Sequence, residues 1–174
     1  MNGEPGVVVV TYNSAQYLGE CLRSAARFGG GDIVVVDNHS TDASCEIARA
    51  AGAGLIANAE NLGFAAAVNQ GVRALKTETV LLLNPDARIA TPLTPMVARV
   101  SDHPQVGVVG GRLLNEDGSD QEGFAVRRFP TAAALIAEQF RCGPVPRLTT
   151  VAAQRPSALI QLRLGVSLDN CVEV

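Results

Sequence analysis

Three apolar runs in this sequence stop abruptly at polar clusters. Val7–Val10 ends in Thr11-Tyr12-Asn13, Ile33–Val36 in Asp37-Asn38, and Val80–Leu83 in Asn84-Pro85-Asp86. Taken alone, each cluster is an ordinary helix cap or turn, because Asn and Asp make Asx-turns and Asn-Pro starts turns. Taken together, a tyrosine face for stacking and a carboxylate able to accept an imide N–H point to a nucleobase pocket. Asp86, behind the stiff Pro85, is placed to coordinate a hard divalent cation, Mg²⁺ or Mn²⁺, that bridges phosphate oxygens. The first run is followed by no Gly-x-Gly-x-x-Gly and no Gly-x-x-x-x-Gly-Lys-Ser/Thr, so the usual phosphate loops are missing and a diphosphate must be neutralised in another way.

Other chemistries find less support. Cys21, Cys45, Cys142 and Cys171 are scattered, with no Cys-x-x-Cys pair and no His at metal-site spacing, and read as reduced thiols. Cys21 falls on the apolar face of a helix and reads as a core residue. His39 reads as a solvated loop side chain and His103, before Pro104, as part of a turn.

These clusters need a scaffold that brings strand ends together. β-branched runs at Val7–Thr11, Ile33–Val36, Leu55–Ala57, Val80–Leu83 and Val106–Val109 alternate, over the first four, with helical patterns. The first helix places Tyr17, Leu18, Cys21, Leu22 and Ala25 inward behind Ser14 as N-cap. The second, near 43–51, turns Ile47, Ala48 and Ala51 inward and starts at Ser40 or Asp42. The third, near 64–75, aligns Phe64, Val68, Val72 and Leu75. This rhythm predicts an α/β fold with a mostly parallel central sheet and helices on both faces, whose ligand lies outside the carboxyl ends of the strands. A short helix after Pro92 carries Leu93, Met96, Val97 and Val100, and Asp117-Gly118 predicts a hairpin. From about Arg141 the prolines 144, 146 and 156 predict an irregular tail, with an unpartnered strand candidate near 159–166. The division expected is 1–140 for the α/β ligand-binding domain and 141–174 for the tail.

Composition narrows the class. The chain has 174 residues, 47% hydrophobic and 18% charged, with a formal net charge of -3, so it offers no basic patch for nucleic acid. No apolar run approaches the roughly 18 residues of a membrane span. The opening "MNGEPG" lacks the basic start of a secretory signal, and a cytoplasmic location is expected.

The set "VVVVTYNSAQYLGECLRSA", "IVVVDNHSTDAS", "NAENLGFAAAVNQGV" and "VLLLNPDARI" resembles the donor-binding half of the family 2 glycosyltransferases, and within them the bacterial rhamnosyltransferase-like members. The resemblance covers about Val7 to Ala90 and fades through about Pro130. It implies a GT-A-like, Rossmann-type three-layer fold and a nucleotide diphosphate-sugar donor, dTDP-rhamnose or a UDP-sugar. The implied acceptor is a cell-envelope polysaccharide or a lipid-linked saccharide, and the implied transfer is inverting and metal-assisted. Thr11, Tyr12 and Asn13 would line the nucleotide, Asp37 or Asn38 would accept the pyrimidine N–H, and Asn61, Gly63, Phe64, Asn69 and Asn84 would border the sugar-phosphate. Asn84-Pro85-Asp86 is similar to the family's Asp-x-Asp metal motif with Asn in first place, which leaves Asp86 to hold the metal.

The family's acidic pair for base catalysis, supplied by a later acceptor-binding half, has no counterpart here, and Asp169 and Glu173 read as surface residues. The tail therefore reads as a truncation or replacement of that half. The alternative is a non-catalytic nucleotide-sugar-binding protein. A receiver-like signalling domain, suggested by Asp37 after a strand, lacks the acidic pair that such a domain wants at the first strand end. Peripheral association with the inner face of the membrane is consistent with such acceptors. Self-association is expected if the sheet or a helix over 132–140 stays uncovered.

Overall fold

The computed structural model describes residues 3–115, 117–119, 121 and the backbone of 161–163. The elements run β1 (Gly6–Thr11), α1 (Ala15–Arg27), β2 (Ile33–Asp37), α2 (Ser44–Ala50), β3 (Gly54–Ala57), α3 (Phe64–Ala74), β4 (Thr79–Leu82), α4 (Thr94–Asp102), β5 (Val108–Val109) and β6 (Gln161–Arg163). The chain divides into two compact units, Met1–Gly110 with Leu159–Val174 and Gly111–Ala158.

In the first unit the sheet order is β3-β2-β1-β4-β6-β5. The first four strands are parallel, and β6 pairs antiparallel with both β4 and β5. Chain order proceeds outward from β1 to β3 and then resumes on the other side of β1 with β4. A reversal of that kind marks where ligands bind in open α/β sheets. The register sets Thr11 directly beside Asp37, so the polar ends of β1 and β2 are neighbours. The strand candidate that lacked a partner in the sequence thus finds two.

The alternation of side chains along β1 explains the two cores. Val7 and Val9 face α1, α2 and α4 through Leu18, Cys21, Leu22, Ala25, Ala48 and Met96. Val8 faces the opposite side with Val34, Val36 and Val80, under Ala67, Val72 and Leu75 of α3 and its C-cap. Both faces of β1 are buried, which is why it reads as a continuous valine run rather than an alternating one.

The apolar stripe expected for α4 is buried in full. Three expected core positions elsewhere are exposed instead. Tyr17 and Phe64 lie in the first turns of α1 and α3, and Ala51 lies beyond the last turn of α2. In the second unit, Asn115 and Ser119 close a turn at Gly118 (φ 83°), where Asn115 N–H donates to the Ser119 carbonyl and Gln121 N–H to that of Leu113. That is the turn Asp117-Gly118 announced. The helix expected over 132–140, and Asp169 and Glu173 with most of the tail, lie outside the described residues. Among those residues no helix is long and apolar enough to cross a membrane.

Helix α3 comes unusually close to the sheet at Gly71. A Cβ placed there would stand 2.6 Å from Val8 Cγ1 and 3.2 Å from Val36 Cγ2, both on rigid β-branched side chains. Gly71→Ala gains helix propensity of roughly 1 kcal/mol, yet it must push α3 off the sheet. Net destabilisation of about 1–3 kcal/mol is expected by urea denaturation, the usual cost of overpacking.

Candidate functional site

The carboxyl edge begins with two buried polar groups that lack partners. Thr11 is 1% exposed and Asp37 2% exposed, and neither Thr11 Oγ1 nor Asp37 Oδ1 meets a hydrogen-bonding group. The second Asp37 oxygen, Oδ2, accepts the Ser40 N–H at 2.8 Å. That bond curls the chain after β2 tightly enough to force His39 to φ 71°. Cys45 of α2 stands beside Asp37, and burial together with the Asp37 carboxylate pushes its thiol up. Tyr12, the next residue after Thr11, is 54% exposed, with its ring free of the core. Asn13 takes φ 51°, uncommon for a non-glycine residue.

Asn38, offered by the sequence as an alternative to Asp37, is committed inside the protein. It is 3% exposed. Its Nδ2 donates to the Gly63 carbonyl at 3.2 Å and its Oδ1 accepts from Asn58 Nδ2 at 3.0 Å. Asn58 in turn exchanges two amide bonds with Gln70 of α3, at 2.9 and 3.0 Å. This amide ladder ties the ends of β2 and β3 to the start of α3, and of the pair Asp37 and Asn38 only the carboxylate has an unengaged oxygen. Asn58 and Gln70 did not stand out in the sequence, since isolated amides carry no spacing signal.

Among the residues expected along the sugar-phosphate, Asn61 turns its Oδ1 to the Gly63 N–H at 2.9 Å, a local Asx-turn that sets Gly63 at φ 82°. Phe64, at the N-terminus of α3, is 59% exposed, and Asn69 lies half-buried more than a turn further along the helix. Asn61, Gly63 and Phe64 therefore flank the ladder at the strand ends, while Asn69 lies on α3 next to the ladder residue Gln70.

The third cluster is held against α1. The Cys21 thiol donates to the Asn84 carbonyl at 3.4 Å, which also accepts the Ala87 N–H at 3.1 Å. Ser24 Oγ accepts the Ile89 N–H at 2.9 Å, and Arg88 pairs with Glu20 at 2.9 Å. The ion pair is exposed and adds little energy, whereas the Cys21 and Ser24 contacts are largely sheltered. Asn84 and Asp86 themselves face solvent. Among the described residues no three His, Cys, Asp or Glu side chains gather as a metal cage. A cation here would take one carboxylate and complete its shell with phosphate oxygens and water, a habit of Mg²⁺ in nucleotide sites. An exposed Asp86 on a pinned turn fits that role.

Comparison with known proteins identifies the family and the fold. The profile described as Glycosyl transferase family 2 matches residues 6–154. The mannosyltransferase PcManGT from Pyrobaculum calidifontis, solved with GDP-Man and Mn²⁺, is 26% identical, with a TM-score of 0.56 over 64% of this chain and 36% of its own. TarS from S. aureus is 25% identical, with a TM-score of 0.56 over 74% of this chain and 38% of its own. The glucosyl-3-phosphoglycerate synthase from Mycobacterium tuberculosis, solved with UDP, shares the fold at 18% identity, with a TM-score of 0.59 over 92% of this chain and 57% of its own. The chain thus spans between about a third and three fifths of the length of these proteins.

Burial, reinforced by the nearby Asp86 charge, pushes the Cys21 thiol up to about 12 from 9.0. Its protonated form is the one folding favours. The resulting stability is fully present below pH 9, where the unfolded thiol begins to ionise, and is lost as pH rises toward 12. The stability gap between the wild type and Cys21→Ala should therefore narrow above pH 9. Urea melts at pH 7, 9 and 10.5 check this, since every other titrating group is common to both proteins.

Proposed function

The chain belongs to glycosyl transferase family 2, and on that premise we propose that the carboxyl edge of its sheet binds a pyrimidine nucleoside diphosphate-sugar. In this reading the protein passes the sugar, with inversion, to a saccharide acceptor of the cell envelope, free or lipid-linked. Its fold is the α/β, GT-A type of its structural neighbours, a parallel four-stranded sheet flanked by helices. The donor is dTDP-rhamnose or a UDP-sugar.

One observation carries the reading. Thr11 Oγ1 and Asp37 Oδ1 are adjacent, buried and without partners. A buried polar atom left unpaired costs about 1–3 kcal/mol, and a cost of that kind persists where a ligand supplies the missing group. A uracil or thymine ring offers an imide N–H to Asp37 and a carbonyl to the Thr11 hydroxyl, and Tyr12 offers its face for stacking. Asn13 closes the nucleotide side, and Asn61, Gly63, Phe64, Asn69 and Asn84 border the sugar-phosphate. Asp86 holds the divalent cation, Mg²⁺ or Mn²⁺, and the presence of Mn²⁺ beside GDP-Man in the mannosyltransferase supports that choice. When bound, such a cation neutralises the diphosphate as it leaves.

Asp37→Asn is the informative substitution. It keeps an acceptor for the Ser40 N–H but replaces the unengaged oxygen by an NH₂ that repels an imide N–H. UDP or dTDP affinity, read by calorimetry, should fall by about 1.5–3 kcal/mol, the worth of a hydrogen bond to a charged group, with thermal stability little changed. Unchanged affinity overturns the pocket assignment, and tighter binding of GDP than of either pyrimidine nucleotide overturns the choice of base.

Asp86→Asn removes charge with almost no change of shape. It should abolish most of the Mn²⁺ enhancement of UDP binding while leaving uridine binding intact. Equal UDP affinity in EDTA and in Mn²⁺ for the wild type would remove the cation from the reading. Binding without any release of sugar to water or acceptor would make the chain the non-catalytic donor-binding protein.

A further inference from the structure

The segment from Asn13 to the first residue of α1 donates three consecutive backbone N–H groups to side chains of residues 40–44, the loop after β2 and the first residue of α2. Asn13 N–H donates to Ser40 Oγ at 2.8 Å, Ser14 N–H to Ser44 Oγ at 3.0 Å and Ala15 N–H to Asp42 Oδ2 at 2.9 Å. In the reverse direction, Thr41 N–H donates to Asn13 Oδ1 at 2.8 Å, with the Thr41 hydroxyl 3.3 Å from the same oxygen. The hub is Asp42. Its other oxygen, Oδ1, accepts both the backbone N–H and the hydroxyl of Ser44, at 3.0 and 2.6 Å. Ser44 is completely buried.

We propose that Asp42 is a positioning residue for the nucleotide, latching the Tyr12-Asn13 loop to the loop that follows Asp37. The proposal rests on the reading of this edge as the nucleotide site. Ser14, the residue at the N-cap of α1, makes no side-chain cap of its own, so the start of that helix is capped from the α2 side. Asn13 is held in its left-handed conformation by bonds at both its N–H and its Oδ1, and a conformation of that kind persists only where the surroundings impose it. Ser40 completes the link, because the residue that accepts from Asn13 also donates its N–H to Asp37. Tyr12 itself is exposed and has no core packing to place its ring, so its position over a base is set by its neighbours in the chain. Asp42 thereby fixes the distance between the stacking face and the accepting carboxylate without touching the ligand.

The test uses two readouts. The chain has two tyrosines and no tryptophan, so in a Tyr17→Phe background its intrinsic fluorescence reports Tyr12 alone. Asp42→Ala should raise acrylamide quenching of Tyr12 toward that of free tyrosine amide. It should also weaken UDP binding by about tenfold at 10 °C, well below the melting transition, an effect the size of one lost helix cap. Should Asp42→Ala fail to fold, Ser40→Ala removes only the Asn13 bond and should still weaken binding by about fivefold, the worth of one hydrogen bond, with the Tm held. A lowered Tm with quenching and Kd unchanged would overturn the proposal, leaving Asp42 as an ordinary structural cap. If the wild type binds no nucleotide, the functional reading fails, and unchanged quenching would then overturn the latch independently.

Discussion

The carboxyl edge of the sheet is organised around a carboxylate taken out of water. Asp37 ends the second strand almost completely buried, where an unpaired charge is costly. The chain meets that cost by turning the Ser40 N–H back onto one oxygen, and the turn in turn forces His39 into the left-handed region. Once Ser40 is fixed there, its hydroxyl reaches the Asn13 N–H, and the first two strand ends become a single unit. The geometry of this edge thus follows from how one carboxylate is half satisfied, and the proposed base contact rests on the other half.

The opposite face of the sheet solves a different problem. Helix α3 is the one helix described on that side, so its placement cannot rely on neighbouring helices. Gly71 lets it settle directly on Val8 and Val36, and the Gln70, Asn58 and Asn38 amides fix its position along the sheet. Amide pairs are directional where apolar contact is not, so the ladder sets the position of Gly63 and Phe64 relative to the strand ends. Asn38 is consequently spent on architecture. The two adjacent residues Asp37 and Asn38 thus differ, one keeping an unpaired carboxylate oxygen and the other holding the frame.

Much of this was readable from residues alone, for physical reasons that also mark where reading stops. Strands buried on both faces leave continuous β-branched runs, and the first four were visible within a residue of their ends. Stripes on α1 and α4 were legible where the helix lies over the sheet. Tyr17 and Phe64 were misplaced because the apolar periodicity runs on into first turns, where these side chains are exposed, and Ala51 because α2 ends one residue earlier. The partner of Gln161–Arg163 was invisible, since a three-residue strand pairing with a strand some eighty positions earlier leaves no local pattern. Asn38 was ambiguous for the same reason, its partners lying 20 and 25 residues away. Asp42 read as a cap of α2, and the structure shares it with α1.

That sharing bears on how the proposed diphosphate site would do without a phosphate loop. In the dinucleotide-binding arrangement the first strand leads into a helix whose free N–H groups receive the phosphates. Here the N–H groups of Asn13, Ser14 and Ala15 are already taken by Ser40, Ser44 and Asp42, and a carboxylate at that helix start would repel an anion rather than attract it. In the proposed reading the negative charge of a nucleoside diphosphate is met on the other side of α1, where Cys21 and Ser24 hold the Asn84-Pro85-Asp86 turn. Helix α1 is the common reference for both ends of the site. Its first turn is fastened to the loop after β2 and its body to the Asn84-Pro85-Asp86 turn, with Leu18, Leu22 and Ala25 anchoring it in the core between. In the proposed reading the helix start positions the base and a cation meets the phosphates, which accounts for a sequence without the glycine fingerprint.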